Sequence, residues 1–254
     1  MNGVYYNEID PYPAQWLRNL IAAGHLPEGD VDERSIVDVR PDDLRGYRQC
    51  HFFAGIGGWP LALRWAGAED IEDVWTGSCP CQPLSVAGQQ KGHADERHLW
   101  PAFYGLIAEC KPAIVFGEQV ASKDGREWLA GVRADLESVG YACGAADLPA
   151  CSVGAPHRRN RLWFVADTFG QRTQGPCTSQ NFSNVGTQGE RRWGTFGAAD
   201  LRQLYDAPLQ RGSSWPQPIL RVLDDGISAK VGKLRAYGNA IVPQVAAEFI
   251  RAAL

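Results

Sequence analysis

The sequence lacks several features that would assign it to a broad class of protein. It has no run of about 18 apolar residues and no signal peptide, so we expect a soluble chain that is not exported. Its seven cysteines are an odd number and include no CxxC pair. That pattern argues against a disulfide framework and against a zinc site, and it suits a reducing compartment. We therefore predict a cytoplasmic protein with no metal and no membrane partner.

An excess of positive charge is also missing, because the net charge is −4. A negative total does not exclude nucleic-acid binding, since local basic patches set the affinity for phosphate. Such patches lie at Arg158, Arg159 and Arg161, at Arg191 and Arg192, and at Lys230, Lys233 and Arg235. A length of 254 residues with 44% hydrophobic residues predicts one sizeable α/β domain, with room for a small second lobe.

The most informative residue is Cys81, which lies in the string Gly-Ser-Cys-Pro-Cys-Gln-Pro-Leu-Ser at positions 77–85. A short apolar stretch precedes it, and Pro80 excludes helix at that point. A cysteine held at the end of a strand is placed to react as a thiolate nucleophile. The alternative is a buried structural thiol, which is the common state of a free cysteine.

The Pro-Cys-Gln-Pro-x-Ser string resembles the catalytic loop of DNA (cytosine-5)-methyltransferases. The resemblance implies that Cys81 adds to C6 of a flipped cytosine and so makes C5 nucleophilic toward a methyl donor. It also implies a polar lid over the flipped base at residues 88–97, where two glycines and little apolar periodicity indicate a loop.

The segment Phe53-Ala54-Gly55-Ile56-Gly57-Gly58 resembles the first motif of the same family, which binds S-adenosylmethionine. It follows an apolar stretch and precedes a helical one. Strand, glycine turn and helix together let a ligand approach the backbone and a helix N-terminus. The resemblance implies that Phe53 lies against the adenine and that the other five residues of the string complete this part of the cofactor site.

The long stretch that the family usually places between this motif and the catalytic loop is missing, but the N-terminus resembles it. The apolar residues from Val4 lead into Glu8-Ile9-Asp10, like the second motif. A carboxylate at the C-terminal end of a strand can accept the ribose hydroxyls, which implies that Glu8 binds the ribose and Ile9 packs on the adenine. Residues 34–44 resemble the third motif, with Ser35-Ile36 at the adenine and Asp30-Val31 as an alternative register.

We therefore predict a Rossmann-like α/β methyltransferase domain with a mostly parallel sheet, circularly permuted so that the second and third motifs precede the first. This order creates a tension, because a connection from the first motif to the catalytic strand on the same face would be left-handed. We expect residues 60–74 to change faces or to be irregular.

Two further strings resemble the motifs that hold the target base. Gly-Glu-Gln-Val at 117–120 resembles Glu-Asn-Val, which implies that Glu118 hydrogen-bonds N3 and the exocyclic amine of cytosine. The alternative is an ordinary surface acid after a strand. The Arg-x-Arg at 159–161 implies that Arg161 contacts the cytosine O2 and that Arg159 contacts phosphate or the catalytic loop. Arginines before a strand are otherwise a common guard for a sheet edge.

The chain closes on Gly-Asn-Ala-x-x-Pro at 238–243, which resembles the tenth motif; we expect Asn239 to cap the last helix beside the cofactor. Pro80, Leu99, Asn239 and Ala240 complete the predicted cofactor site. The predicted DNA contacts are Ser85, Gln89, Arg97, Arg158, Arg191, Arg192 and Trp193. We predict a catalytic and cofactor-binding domain at 1–167, a loop-rich target-recognition lobe at 168–228, and a return to the catalytic domain at 229–254.

The predicted function is S-adenosylmethionine-dependent methylation of C5 of cytosine in double-stranded DNA, by a monomer associated with the nucleoid and in the setting of restriction-modification. One alternative keeps the C5 chemistry with another one-carbon donor or on RNA. Another is a non-catalytic DNA-binding relative, against which intact Cys81, Glu118 and Arg161 argue. A nucleotide-binding oxidoreductase is excluded, because the turn lacks GxGxxG and that activity leaves Cys81 unexplained.

Overall fold

A computed structural model describes residues 2–80, 99–168 and 239–254. These ranges form seven strands: β1 (Asn2–Asn7), β2 (Gly29–Asp32), β3 (Tyr47–Phe52), β4 (Val74–Gly77), β5 (Ile114–Val120), β6 (Ala142–Leu148) and β7 (Arg161–Asp167). They also form five α-helices: α1 (Pro11–Ala22), α2 (Gly58–Ala66), α3 (Trp100–Cys110), α4 (Lys123–Ser138) and α5 (Pro243–Ala253). Within these ranges, no helix has the length and apolar character needed to cross a membrane.

The strands form a single sheet in the order β2-β1-β3-β4-β5-β7-β6. Neighbours from β2 to β5 pair in parallel, and β7 runs antiparallel to both β5 and β6. The prediction of an α/β fold with a mostly parallel sheet is confirmed. Because the first five strands in this order all point the same way, their carboxyl ends meet at one edge, where ligands bind in open α/β sheets.

Helices cover both faces of the sheet, because successive residues of each central strand point to opposite sides. On one face Phe52 and Trp75 pack with Phe103 of α3, and α4 extends the same cluster. On the other face α2 and α5 pack over β4, β5 and β7, and α1 lies beside them over β1. Each large apolar side chain buried in these layers contributes roughly 1.5–3 kcal/mol, so the sheet is fixed from both sides.

The connection from β3 through α2 to β4 has an unusual hand. Helices α1 and α2 cover the same face, since the Arg64 guanidinium donates to the carbonyl of His25 at 2.6 Å. The step from β1 to β2 and the step from β3 to β4 run in opposite directions, so these two crossovers have opposite hands. The β4-α3-β5 crossover lies on the opposite face from β1-α1-β2 and steps across the sheet in the opposite direction. These two reversals cancel, so the two crossovers have the same hand.

About 98% of such crossovers are right-handed, so the β3-α2-β4 connection is the left-handed one. We expected residues 60–74 either to change faces or to be irregular. Helix α2 does not change faces, and the irregular part is limited to residues 67–73, which form neither helix nor strand.

Helix α5 closes the face that contains α2. Phe249 contacts the rings of Phe116 and Trp163, and the N-terminal residue of α5 is Pro243. The residue that caps this helix is Val242, and it caps without a side-chain hydrogen bond. The prediction that Asn239 caps the last helix is therefore wrong, because Pro243 starts the helix without needing a donor partner and Asn239 lies four residues earlier.

The predicted target-recognition lobe at 168–228 lies outside the described residues, apart from Thr168. The three predicted domain boundaries stay predictions.

Candidate active site

A cleft of about 490 Å³ lies at the carboxyl ends of the central strands. The residues predicted for the cofactor line it, with the exception of Gly57: Glu8, Ile9, Ser35, Ile36, Phe53, Ala54, Gly55, Ile56, Gly58, Pro80, Leu99, Asn239 and Ala240. Glu118, Arg159 and Arg161 line the same cleft. The fold therefore brings residues from both ends of the sequence and from its middle to one site.

Gly57 faces away from the cleft and toward α1. A Cβ atom at this position would lie 2.5 Å from Cδ1 of Leu26, and the residue has a φ of +81° at the N-cap of α2. Its part is conformational, because this left-handed backbone turns the chain from β3 into the helix. The glycines on either side of it, Gly55 and Gly58, face the cleft.

The carboxylate of Glu8 joins the end of β1 to the glycine turn. Its Oε2 accepts a hydrogen bond from the backbone N–H of Gly55 at 2.8 Å, and its Oε1 accepts from the N–H of Asp10 at 2.9 Å. This is possible because β1 and β3 are parallel neighbours, with Asn7 opposite Phe52. The two backbone donors fix the orientation of an acid at the edge of the cleft.

Of the two registers predicted for the third motif, Ser35-Ile36 lies in the cleft. Asp30 instead accepts a hydrogen bond from the hydroxyl of Tyr47 at 2.6 Å, away from the cleft residues. The amide of Asn7 donates to the carbonyls of Asp32 and Arg34, and so holds the loop that follows β2. This loop delivers Ser35-Ile36 beside Glu8.

Asp32 is a well-anchored acid that the sequence reasoning missed. Its carboxylate accepts hydrogen bonds from the Tyr5 hydroxyl at 2.7 Å and from the Arg34 guanidinium at 2.7 Å. Burial by itself would raise the pKa of Asp32, but the hydrogen bonds from Arg34 and Tyr5 outweigh it and hold the pKa below its usual range. An acid at the end of a strand with an arginine two positions later was the available signal.

Glu118 and Arg161 form a buried ion pair at the other end of the cleft. Nε of Arg161 lies 2.6 Å from Oε1 of Glu118, and Glu118 is 8% exposed. Strands β5 and β7 pair with Val120 opposite Arg161, which brings the arginine close to the acid. Burial raises the pKa of Glu118, while Arg161, Arg159 and a hydrogen bond from the Ser78 side chain act in the opposite direction.

Arg159 ties the loop before β7 to the chain segment before α5. Its guanidinium donates to the carbonyl of Ala240 at 2.8 Å, and its φ of +34° is rare for a residue with a side chain. Burial and the neighbouring Arg161 lower its pKa, opposed by Glu118. Arg158, next to it, is exposed and lies outside the cleft.

The stem of the predicted catalytic loop reaches the cleft from β4. Ser78, Cys79 and Pro80 line it, and the amide of Gln119 donates to the carbonyl of Cys79 at 3.4 Å. Burial raises the pKa of the Cys79 thiol well above its usual value, so this cysteine stays protonated. Cys81 itself lies outside the described residues, as do the predicted DNA contacts Ser85, Gln89, Arg97, Arg191, Arg192 and Trp193.

Trp59 and Ser78 line the cleft, unlike Asp32, and the sequence did not assign either of them to the site. The indole Nε1 of Trp59 donates to Oγ of Ser78 at 3.0 Å. The signal for Ser78 was its place three residues before Cys81, and the signal for Trp59 was its place at the start of the helix after the glycine turn.

Comparison with known proteins points to one family. Residues 68–188 match the family model of the C-5 cytosine-specific DNA methylases. The chain is 27% identical over 169 residues to Type II methyltransferase M.HhaI of Haemophilus parahaemolyticus, covering 51% of this chain and 52% of the relative. It is 38% identical over 96 residues to Type II methyltransferase M.AplI of Arthrospira platensis, covering 37% of this chain and 28% of the relative.

Among solved structures, a mutant DNMT2 of Spodoptera frugiperda is similar with a TM-score of 0.46 and 16% identity, covering 76% of this chain and 48% of that one. The chain thus spans about half, or less, of the length of these relatives.

Proposed function

We propose that the chain is a member of the C-5 cytosine-specific DNA methylase family, whose model matches residues 68–188, and that it transfers a methyl group from S-adenosylmethionine to C5 of cytosine in double-stranded DNA. The observation that carries this proposal is the cleft that holds both a backbone-anchored Glu8 and the buried pair of Glu118 and Arg161. One end suits a nucleoside with free hydroxyls and the other suits a polar base. The restriction-modification setting of the relatives is part of the same proposal.

At the cofactor end, the acceptor carboxylate and the apolar surfaces fit S-adenosylmethionine. When bound, this cofactor supplies an electrophilic methyl group. Glu8 accepts hydrogen bonds from the ribose hydroxyls, and Ile9, Ile36 and Phe53 offer apolar surface to the adenine. Gly55 has open space beside it and would leave room for the methionine end to approach the backbone before α2.

At the base end, Glu118 and Arg161 receive a cytosine extruded from the duplex. Extrusion costs a few kcal/mol, which the pocket contacts offset. The thiolate of Cys81 forms a bond to C6 while Glu118 gives its proton to N3, so the electron pair of the ring becomes available at C5. After C5 takes the methyl group, a base removes the C5 proton, the bond from C6 to sulfur breaks and releases the thiolate, and N3 returns its proton to Glu118. Arg161 holds the cytosine O2 throughout.

The order of the strands supports a rearrangement of this family's domain in which the second and third motifs precede the first while the remaining motifs keep their usual order. In the sheet, β1 and β2 with Glu8 and Ser35 lie on the outer side of β3, although they precede it in the chain. If β1 and β2 were moved ahead of β3, the helix after β3 would have to lead directly to β4 on the other side of it. That connection would be left-handed. The left-handed β3-α2-β4 connection is the trace expected of such a rearrangement.

The proposal predicts that Cys81→Ser abolishes methyl transfer and leaves S-adenosylmethionine affinity near that of the wild type, because the serine hydroxyl is a far weaker nucleophile than a thiolate. The measurement is transfer of a labelled methyl group to DNA, with a cofactor-binding titration alongside it. The wild type should also form a stable covalent complex with DNA that contains 5-fluorocytosine.

Cys151→Ser is the matched control, because Cys151 is exposed in the short 3-10 helix Ala150–Val153, outside the cleft. It should keep wild-type transfer and trapping. Full transfer by Cys81→Ser, or labelling of a matched RNA in place of DNA by the wild type, would contradict the proposal.

A further inference from the structure

A hydrogen-bonded chain of three side chains runs from α2 to the buried acid of the cleft. Trp59, 3% exposed, lies in the first turn of α2 and donates from Nε1 to Oγ of Ser78 at 3.0 Å. The Ser78 side chain in turn hydrogen-bonds Glu118. The indole is held by the rings of Phe116 and Trp163, at centroid distances of 6.2 and 5.6 Å.

The direction of each hydrogen bond in this chain follows from the chemistry of the groups. An indole nitrogen only donates, so the oxygen of Ser78 accepts from Trp59. The hydroxyl hydrogen of Ser78 is then left to donate to the carboxylate of Glu118. Because the ring of Trp59 cannot turn within its aromatic contacts, the Ser78 hydroxyl is held in one orientation.

We propose that Trp59 and Ser78 are positioning residues that fix the orientation of Glu118 and keep one of its oxygens an acceptor, so that its proton leaves toward the base. The role rests on the proposed function, in which Glu118 protonates N3 of cytosine. Neither residue reacts itself. They act on the acid from the side of β4 and α2, whereas Arg161 and Arg159 face it from β7 and the loop before it.

The same chain sets how Glu118 responds to pH. The Ser78 donor, Arg161 and Arg159 all favour the ionised carboxylate, against the effect of burial. Loss of the Ser78 hydroxyl therefore raises the pKa of Glu118. Loss of the indole N–H acts in the same direction and less strongly, because the freed Ser78 oxygen can then accept from a protonated Glu118.

The test compares Ser78→Ala and Trp59→Phe with the wild type in single-turnover methyl transfer across pH. If Glu118 acts in its protonated form, activity falls as pH rises through its pKa. Both variants should move that alkaline limb to higher pH, Ser78→Ala further than Trp59→Phe. At the pH optimum we expect the rate of methyl transfer to fall on the order of tenfold in each variant. That is a part of the 10²–10⁴-fold acceleration that general acid catalysis supplies. Ser78→Thr restores a hydroxyl and should return the limb toward its wild-type position.

Trp163→Phe is the matched control for the loss of an indole. Trp163 lies in the same apolar cluster, and its buried Nε1 has no hydrogen-bond partner among the residues that the structure describes. This variant should lose stability much as Trp59→Phe does, yet keep the wild-type pH limb, because phenylalanine at this position still places an aromatic ring against Trp59. If the alkaline limb moves equally in Trp163→Phe and Trp59→Phe, the shift is a general packing effect. That result would overturn the proposed relay, in which Trp59 and Ser78 position Glu118.

A second measurement keeps the relay separate from the proposed function. In protein labelled with ¹³C at the glutamate carboxyl carbon, the titration of Glu118 is followed by NMR, with Glu118→Gln identifying the signal. A higher midpoint in Ser78→Ala supports the relay even if the wild type methylates nothing. An unchanged midpoint overturns the relay, whether or not the protein methylates DNA.

Discussion

At the scale of single residues, Glu8 shows how an acid near the start of the chain becomes part of a site built mainly around β3. Its two carboxylate oxygens accept hydrogen bonds from the backbone N–H groups of Gly55 and Asp10. Backbone donors move little, so the acid is already oriented before any ligand arrives. The conformational entropy of the Glu8 side chain is therefore lost during folding and not when the ligand binds.

We predict that Glu8→Ala weakens S-adenosylmethionine binding by roughly 1.5–3 kcal/mol, as expected for a lost hydrogen bond to a charged group. The affinity of Glu8→Gln should lie between those of the wild type and Glu8→Ala, because the glutamine amide oxygen can still accept a hydrogen bond from Gly55 although the charge is gone. Isothermal titration measures the affinity. Glu72→Ala, which removes an exposed acid away from the cleft, should change nothing; equal affinity in Glu8→Ala and wild type would refute this role.

The sequence could predict most residues of the cleft because they occur in short strings whose residue types depend on neighbours along the chain. Phe53–Gly58 and Glu8-Ile9 are of this kind, and the structure places all but Gly57 at the cleft. Contacts between distant residues left no such signal. The bond between Trp59 and Ser78 spans 19 positions and depends on β3 and β4 being neighbours, so it could not be deduced from either string alone.

At the scale of secondary-structure elements, β4 ends in a glycine and β5 has one at its middle, and each glycine lies beneath an aromatic ring. Gly77 and Gly117 pair across the two strands. A Cβ at Gly117 would lie 2.1 Å from Cζ of Phe164 and 2.9 Å from the carbonyl oxygen of Gly77. The absence of a side chain lets the ring of Phe164 cover the strand directly before Glu118. Tight packing here fixes the position of the buried acid within β5.

Gly117→Ala should therefore destabilise the protein by about 1–3 kcal/mol or more, the range for overpacking in a core, and lower methyl transfer by displacing Glu118. Urea unfolding gives the first quantity. Gly131→Ala is the control, because this exposed glycine of α4 has open space around it. That change should stabilise the helix by up to about 1 kcal/mol. A neutral Gly117→Ala would mean that the ring moves aside easily.

Elements with clear local patterns were predictable, whereas their arrangement was not. The apolar stretches before the glycine turn and before Glu118 form β3 and β5, and the spacing after Glu8 forms α1. The end of the chain was harder, because the proline that begins α5 needs no cap and so displaced the role expected for Asn239. Which face α2 covers depends on α1 and α5, and no periodicity within residues 58–66 encodes it.

At the scale of the whole molecule, the centre of the sheet holds a histidine that must stay neutral. His51 on β3 is fully buried, and its Nδ1 lies 2.8 Å from the hydroxyl of Thr76 on β4. The ring of Tyr6 on β1 contacts it from the other side. Burial, aided by the charge of Arg48, lowers the pKa of His51 to about 3. Protonation of this residue therefore opposes folding.

The stability of the protein should consequently depend on pH through His51. Its pKa is near 6.5 in the unfolded chain and lower in the folded one, so its contribution is complete above about pH 6.5 and is lost as pH falls toward 3. Between pH 6.5 and 4.5 we expect a loss of about 2–3 kcal/mol in the free energy of unfolding, measured with urea.

His51→Gln should be less stable at neutral pH yet flatter over this range, because glutamine does not titrate. His25→Gln, at an exposed site on the same face, should keep the wild-type slope. An equally steep slope in His51→Gln would assign the acid sensitivity to other groups.

The packing of α5 on α2 has a consequence for synthesis on the ribosome. Strands β1 to β3, with Glu8 and the glycine turn, emerge before any residue of the base-binding end. Helix α2 follows, but the partner that covers its apolar side is formed by residues 243–253. During translation Glu8 and the glycine turn have thus been synthesised while Trp59 and Leu63 of α2 are not yet covered by α5. This apolar surface of the nascent chain must not aggregate with other chains before α5 has been synthesised.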